Sequence, residues 1–144
     1  MSKELVLEKL ESLGFSVMDA RELGYMFEYE EFTFLYMPDN DEYFLRFALP
    51  KIFYVTEENR PFVLEVTNDT NMTIKYCKTC VFGESVWVFY ECRLFGDDNI
   101  EAIIEHGLLL LRATVGLFHR EIEGDDELPQ AGDDCENENK EGKV

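Results

Sequence analysis

Basic residues are scarce in this chain of 144 residues, because 13 Lys or Arg stand against 31 Asp or Glu and the net charge is −18. Proteins hold nucleic acids and anionic membranes through lysine and arginine, and no basic stripe is visible in the sequence. The composition therefore argues against both partners, whereas a basic partner protein remains compatible with it. Apolar residues make up 46% of the chain and aromatic residues 14%, which is enough for a packed core.

Long apolar runs are also missing. No stretch reaches the roughly 18 consecutive apolar residues that a membrane-spanning helix needs, and the first residues lead into a charged helix rather than a signal peptide. We therefore expect a cytoplasmic protein without a membrane segment. Residues 124–144 contain eight acidic residues, two lysines and no aromatic residue. We predict one α+β domain over residues 1–123 and an acidic disordered tail over residues 124–144.

The usual signatures of catalysis are absent as well. The sequence contains no glycine-rich phosphate loop and no GxSxG nucleophile motif. Cys77 and Cys80 form a CxxC pair, but the segment that holds them is predicted to be a strand. Residues three apart on a strand point to opposite faces, so we interpret the pair as two independent thiols.

Two further groups could support chemistry, and each has a simpler interpretation. His106 and His119 lie thirteen residues apart on the last predicted helix, too far apart for a helical metal pair. An acidic cluster in the hairpin region could bind a divalent cation, yet it lacks the pattern of a calcium loop. Its members are Glu28, Glu30, Glu31, Asp39, Asp41 and Glu42. We predict no catalytic residue, no metal site and no cofactor, and we keep a metal enzyme as the weakest alternative.

Hydrophobic periodicity predicts the order helix, three strands, helix, two strands, helix. The strands are joined by short turns and are therefore expected to be antiparallel. We predict an α+β fold in which helices cover one face of an antiparallel sheet of about five strands. The predicted elements are a helix ending at Gly14, strands over residues 25–29, 32–37 and 43–49 with a short extension at 52–55, a helix over 60–71, strands over 74–81 and 86–95, and a helix from about residue 97.

Two asparagines are predicted to form a structural corner. Asn68 and Asn71 stand at the end of the predicted second helix, and asparagine tolerates the left-handed backbone that ends helices. This helix and corner, with the two strands at residues 74–81 and 86–94, resemble the YbjN family of bacterial proteins. The opening helix, the strands from Tyr25 to Leu49 and the last helix fit the same order, so the resemblance covers about residues 2–121. It implies a fold like that of type III secretion chaperones, a role as a sensory-transduction regulator, and no catalytic residues.

The leading functional hypothesis is a non-enzymatic protein-binding module, chaperone-like or regulatory, that forms a homodimer. Its binding surface would be a sheet edge or an apolar groove. The last predicted helix is apolar on more than one side, which indicates burial by a second element or a second subunit. The candidate interface residues are Trp87, Phe89, Leu109 and Leu110.

The alternative is a small-ligand sensor. Its pocket would lie between the sheet and the helices and would be lined by aromatic residues at strand spacing. Such residues form cores more often than pockets, which places this hypothesis second. The residues are Phe34, Tyr36, Tyr43, Phe89 and Tyr90.

Overall fold

The computed structural model describes residues 3–124, which form three α-helices and six β-strands. The predicted tail therefore lies outside the described residues, apart from Gly124. Within residues 3–124, no helix combines the length and the apolar character needed to cross a bilayer. The elements in chain order are α1 (Lys3–Ser12), β1 (Met18–Asp19), a 3₁₀ turn (Arg21–Leu23), β2 (Tyr25–Tyr29), β3 (Phe32–Tyr36), β4 (Phe44–Tyr54), α2 (Arg60–Thr73), β5 (Cys77–Phe82), β6 (Ser85–Arg93) and α3 (Ile100–Glu123).

All strands pair antiparallel in one sheet, in the order β1-β2-β3-β4-β6-β5. The predicted α+β class and the predicted order of the elements are confirmed. The sixth strand is β1, which has two residues and pairs Met18 with Met26 and Asp19 with Tyr25. So short a segment has no periodicity of its own, which is why the sequence did not indicate it.

The main core lies between the sheet and the helices α1 and α3. Alternate residues of β4 and β6, such as Phe47 and Val88, point into it, and Leu108 and Leu111 of α3 cover them. Full burial of each such side chain stabilises the fold by roughly 1.5–3 kcal/mol. A smaller cluster joins α2 to the far end of the sheet through Val66, and all these contacts are made on the same face of the sheet.

Strand β4 is longer than predicted. The sequence predicted a strand that stops before Pro50, with residues 52–55 as a short extension, and the structure runs β4 as one strand to Tyr54. The register against β6 shifts between Leu49 and Phe53, and Lys51 inside the shift has a φ of 55°. This bulge takes Pro50, which has no N–H to donate, out of the hydrogen-bonded ladder.

The corner predicted at the two asparagines lies elsewhere. Helix α2 continues to Thr73, so Asn68 and Asn71 both lie inside it. The backbone turns toward β5 at Ile74, which is extended, and at Tyr76, which has a φ of 72°. Val66 packs with Val86 of the sheet and Thr70 is buried, and this tertiary burial keeps the last turns helical against the local preference of asparagine.

Candidate functional site

The two faces of the sheet differ in what covers them. In β6, Val86, Val88 and Tyr90 point toward the helices and belong to the cores there. Trp87 and Phe89 point the other way and pack with residues of β2, β3 and β4 and with Ala20. No residue of α1, α2 or α3 belongs to this third cluster. We call this side of the sheet the outer face.

A wide cavity opens on the outer face beside Trp87. The volume of this outer-face cavity is about 690 Å³. Trp87 itself is 4% exposed, whereas Phe82 is 56% exposed and Tyr54 is 64% exposed. The Phe82 ring meets Trp87 edge-on with the ring centres 5.0 Å apart, and Phe89 stacks on Trp87 at 5.9 Å. The lining residues are Lys51, Phe53, Tyr54, Phe82, Gly83, Glu84, Ser85 and Trp87.

Two irregular segments build this cavity. The bulge in β4 brings Lys51 to the lining, and the turn between β5 and β6 brings Gly83 and Glu84. Gly83 has a φ of 68°, a backbone conformation that glycine adopts without strain. The Tyr54 hydroxyl donates to Glu84 Oε1 at 3.5 Å, a long bond between two exposed groups. The lining therefore carries one cation and one anion around a mainly aromatic surface.

The other end of the outer face is charged. Arg46 Nε and Glu91 Oε2 lie 2.9 Å apart, and Lys78 Nζ lies 3.1 Å from Glu91 Oε1. Lys78 also stands over the Phe89 ring at 5.9 Å from its centre. Two cations thus share the one carboxylate of Glu91, which leaves this end with one net positive charge. The exposed apolar surface of the outer face lies at the other end, at Phe82 and Tyr54.

Asn71 closes one edge of the sheet. Its Oδ1 accepts a hydrogen bond from the Thr79 backbone N–H at 2.8 Å, and its Nδ2 donates to the Thr79 carbonyl at 3.0 Å. Thr79 Oγ1 donates to the same Oδ1 at 3.0 Å. The side chain thus occupies the place that a further strand would take beside β5, which blocks pairing there.

The predicted interface residues lie on two sides of the molecule. Trp87 and Phe89 are on the outer face, whereas Leu109 and Leu110 are on α3 on the helix side of the sheet. Leu109 is 59% exposed, and Leu110 is partly buried against the main core. One flat interface cannot include all four, and their role as contact residues stays a prediction.

The CxxC pair lies within β5, as predicted, and no disulfide joins the described cysteines. Cys77 packs against the main core, and burial raises the pKa of its thiol. Burial also raises the pKa of the Cys80 thiol. Raised values mean little thiolate at neutral pH, so neither cysteine has the character of a reactive nucleophile.

The histidines make separate contacts. His106 Nδ1 lies 3.2 Å from the Tyr90 hydroxyl, and His119 Nε2 lies 2.8 Å from the Ile52 carbonyl. Over residues 3–124, no three His, Cys, Asp or Glu side chains are grouped closely enough to hold a metal ion.

The five aromatic residues of the alternative hypothesis do not share one pocket, because three are packed in the core and two lie outside it. Phe34, Tyr36 and Tyr90 are buried in the main core. Phe89 is on the outer face, and Tyr43 is exposed in the segment before β4. A pocket lined by these five residues between the sheet and the helices is therefore not present in the described part of the chain.

Of the eight residues that line the outer-face cavity, sequence reasoning singled out only Trp87. Phe82 could have been found, because alternation places it on the same face of its strand as Cys80, opposite the Trp87 strand. Lys51 and Tyr54 could not, because their positions depend on the bulge in β4.

Comparisons with known proteins leave the family open and settle the fold. No protein-family model matches the chain, and no curated protein matches it. The crystal structure of YbjN from E. coli, described as a candidate transcription regulator, is similar at a TM-score of 0.65 and 7% sequence identity. The match covers 86% of this chain and 94% of that chain. The chain therefore has a YbjN-like α+β fold, as the resemblance in its sequence indicated.

Proposed function

We propose that this chain is a non-enzymatic regulatory module that binds a partner protein at the outer-face cavity. The observation that supports this is the exposure of Phe82 and Tyr54 around Trp87 on the side of the sheet that α1, α2 and α3 leave uncovered. Rigid aromatic side chains in a concave surface are the groups that dominate binding energy in protein interfaces.

The chemistry of the cavity indicates what the partner presents. The exposed rings of Phe82 and Tyr54 offer contact to an apolar side chain, and Lys51 and Glu84 offer one charged contact of each sign. The chain as a whole carries a net charge of −18. We expect a partner with a basic surface around an apolar anchor, because opposite charge speeds association and disfavours acidic competitors.

A groove is a better binding surface here than a sheet edge. Asn71 occupies the edge of β5, and the opposite edge is formed by the two residues of β1 and the last three residues of β2. Short or blocked edges disfavour the addition of a strand from another protein. The likeness to a structure described as a candidate transcription regulator supports a regulatory role and leaves the partner unspecified.

Site-specific photo-crosslinking in cells tests this proposal. A benzophenone amino acid is placed at position 82, and the matched control carries it at Phe95, which is also exposed but belongs to the segment after β6. We expect one discrete product from position 82, containing a basic protein, and a weaker yield when Tyr54→Ser is added.

Salt provides a second readout of the same experiment. The yield at position 82 should fall as salt is added in a lysate, because screening weakens the attraction between an acidic and a basic protein. Equal products from positions 82 and 95, or none from position 82 in cells that express the full chain, would overturn the proposal.

A further inference from the structure

A second cavity lies on the helix side of the sheet, where α3 passes the end of α1 and the turn between β2 and β3. Its volume is about 300 Å³, at the small end of the range for ligand pockets. We call it the Arg112 pocket. It is lined by Leu13, Gly14, Phe15, Tyr29, Glu105, Leu108, Leu109 and Arg112.

The arginine in this pocket has no polar partner. The Arg112 Nε atom is buried, and no described residue accepts a hydrogen bond from it. Within residues 3–124, no carboxylate lies within ion-pair distance of the guanidinium. The group instead stands over the Tyr29 ring, with its central carbon 5.5 Å from the ring centre. A buried donor without an acceptor costs free energy. An anion bound to the guanidinium would recover part of that cost once the side chain turns Nε toward the pocket.

The walls of the pocket are preformed. Phe15 packs against Phe27 with the ring centres 5.0 Å apart, and it meets Tyr29 edge-on at 5.5 Å. Gly14 has a φ of 100° and no neighbour at the position of a Cβ, so the chain turns sharply here and leaves space beside Phe15. A cavity with fixed aromatic walls loses little conformational entropy when a ligand enters.

We propose that the Arg112 pocket binds a small monocarboxylate with an apolar body. The guanidinium presents its donors in a planar fork that matches a carboxylate. Leu108 and the exposed Leu109 offer apolar contact to the rest of the ligand. The site is independent of the outer-face cavity, since the two are lined by different residues.

Glu105 disfavours ligands that carry more than one negative charge. Its exposed side chain lines the same pocket two helical turns before Arg112. A dicarboxylate or a phosphate would bring a second negative charge close to this carboxylate, which disfavours both. The pair Arg112 and Glu105 therefore distinguishes monocarboxylates from more highly charged anions.

Calorimetric and NMR titration of the full chain with phenylacetate tests the proposal. Phenylethanol and phenethylamine keep the aromatic body without the carboxylate, and we expect both to bind at least about tenfold more weakly. Arg112→Gln should lower the affinity for phenylacetate by about tenfold or more, and Glu105→Gln should raise that affinity. Arg120→Gln changes an exposed arginine eight residues further along α3 and should leave the affinity for phenylacetate unchanged.

Three results would overturn the proposal. They are no saturable binding of phenylacetate up to about 10 mM, equal affinity for the alcohol, and unchanged affinity in the Arg112→Gln variant. If Arg112→Gln does not fold, the proposal is tested on the unaltered chain by two measurements. These are the relative affinities of phenylacetate, phenylethanol and phenethylamine, and the NMR shifts at residues 13–15 and 108–112. Phe82→Ser should leave phenylacetate binding intact, which separates this test from that of the proposed function.

Discussion

At the scale of single residues, the side chain of Asn71 makes the hydrogen bonds that a neighbouring strand would make to Thr79. Its amide pairs with both backbone groups of Thr79, and the Thr79 hydroxyl lies between Asn71 Oδ1 at 3.0 Å and the Thr67 carbonyl at 3.3 Å, which share its one proton. These bonds attach α2 to the edge of β5 that does not pair with β6. The same contacts satisfy backbone groups that would otherwise be left unpaired at a partly buried edge.

We expect Asn71→Ala to destabilise the fold by about 1–3 kcal/mol, because it leaves the Thr79 N–H and carbonyl without partners. Asn68→Ala is the matched control, since Asn68 is exposed in the same helix and its side chain reaches Met72 Sδ at 3.6 Å. The control should change the free energy of unfolding by less than about 0.5 kcal/mol. Urea unfolding followed by circular dichroism measures both, and equal losses would contradict this account.

The sequence singled out Asn71 as structural but could not show its contact. Local preference suggested a helix end, and the structure places the residue inside α2. Its partner, Thr79, comes eight residues later and on another element. That pairing depends on how α2 docks against the sheet, which no local pattern of the sequence contains.

At the scale of elements, α3 carries two glycines in different surroundings. A Cβ on Gly107 would lie 2.7 Å from Tyr90 Cδ2 and 2.8 Å from Cε2, whereas one on Gly116 would find Arg120 Nη1 at 3.6 Å. The Tyr90 ring is buried in the main core, and its hydroxyl lies 3.2 Å from His106 Nδ1. It therefore cannot move aside easily.

We expect Gly107→Ala to lower the free energy of unfolding by about 1–3 kcal/mol, because a methyl group is forced into a packed ring. Gly116→Ala should raise it by about 0.5–1 kcal/mol, because alanine favours the helix and meets no obstacle. Thermal and urea unfolding of the two variants provide the measurement. A gain in both variants would show that α3 can shift away from β6.

The two hairpin turns offer a second matched pair. Glu30 and Glu31 join β2 to β3 and are both left-handed, with φ values of 52° and 72°. The sequence has no glycine or asparagine here, so it did not indicate the type of this turn. Glu84 holds the second central position of the turn between β5 and β6 and is not among the residues with positive φ.

We expect Glu31→Gly to stabilise the fold by about 0.5–1 kcal/mol, since glycine adopts the left-handed conformation without steric cost. Glu84→Gly should destabilise it by a similar amount, about 0.5–1 kcal/mol, because it adds freedom to the unfolded chain and removes the long hydrogen bond from Tyr54. Chemical unfolding of both variants checks the sign of each change. Loss of stability in Glu31→Gly would mean that the glutamate makes a compensating contact.

Periodicity predicted the larger elements because they bury one face each. The alternation of β6 correctly separated Trp87 from Val86, Val88 and Tyr90, and with it the two faces of the sheet. Strand β1 and the bulge at Lys51 were not predicted, since both arise from pairing with strands distant in the sequence. The outer-face cavity depends on that bulge, and so the site was less predictable than the fold.

At the scale of the whole molecule, the two proposed sites lie on opposite sides of the sheet. The outer-face cavity is rimmed by β4, β5 and β6, and the Arg112 pocket belongs to α3 and the end of α1. The predicted interface residues divide in the same way. A second copy could contact only one of these sides. The α3 side is favoured, because Leu109 is 59% exposed and Trp87 only 4%.

The homodimer stays a prediction, and its salt dependence can be tested. Each copy carries a charge of −18, so the dimer should be favoured as the Debye length falls from about 10 Å at 0.1 M salt to about 3 Å at 1 M. Sedimentation velocity should show the dimer weakened by Leu109→Ser and kept in Leu64→Ser, a control on α2. A monomer at every salt concentration would contradict the prediction. Because Leu109 also lines the Arg112 pocket, added phenylacetate should compete with the second copy and shift the chain toward the monomer.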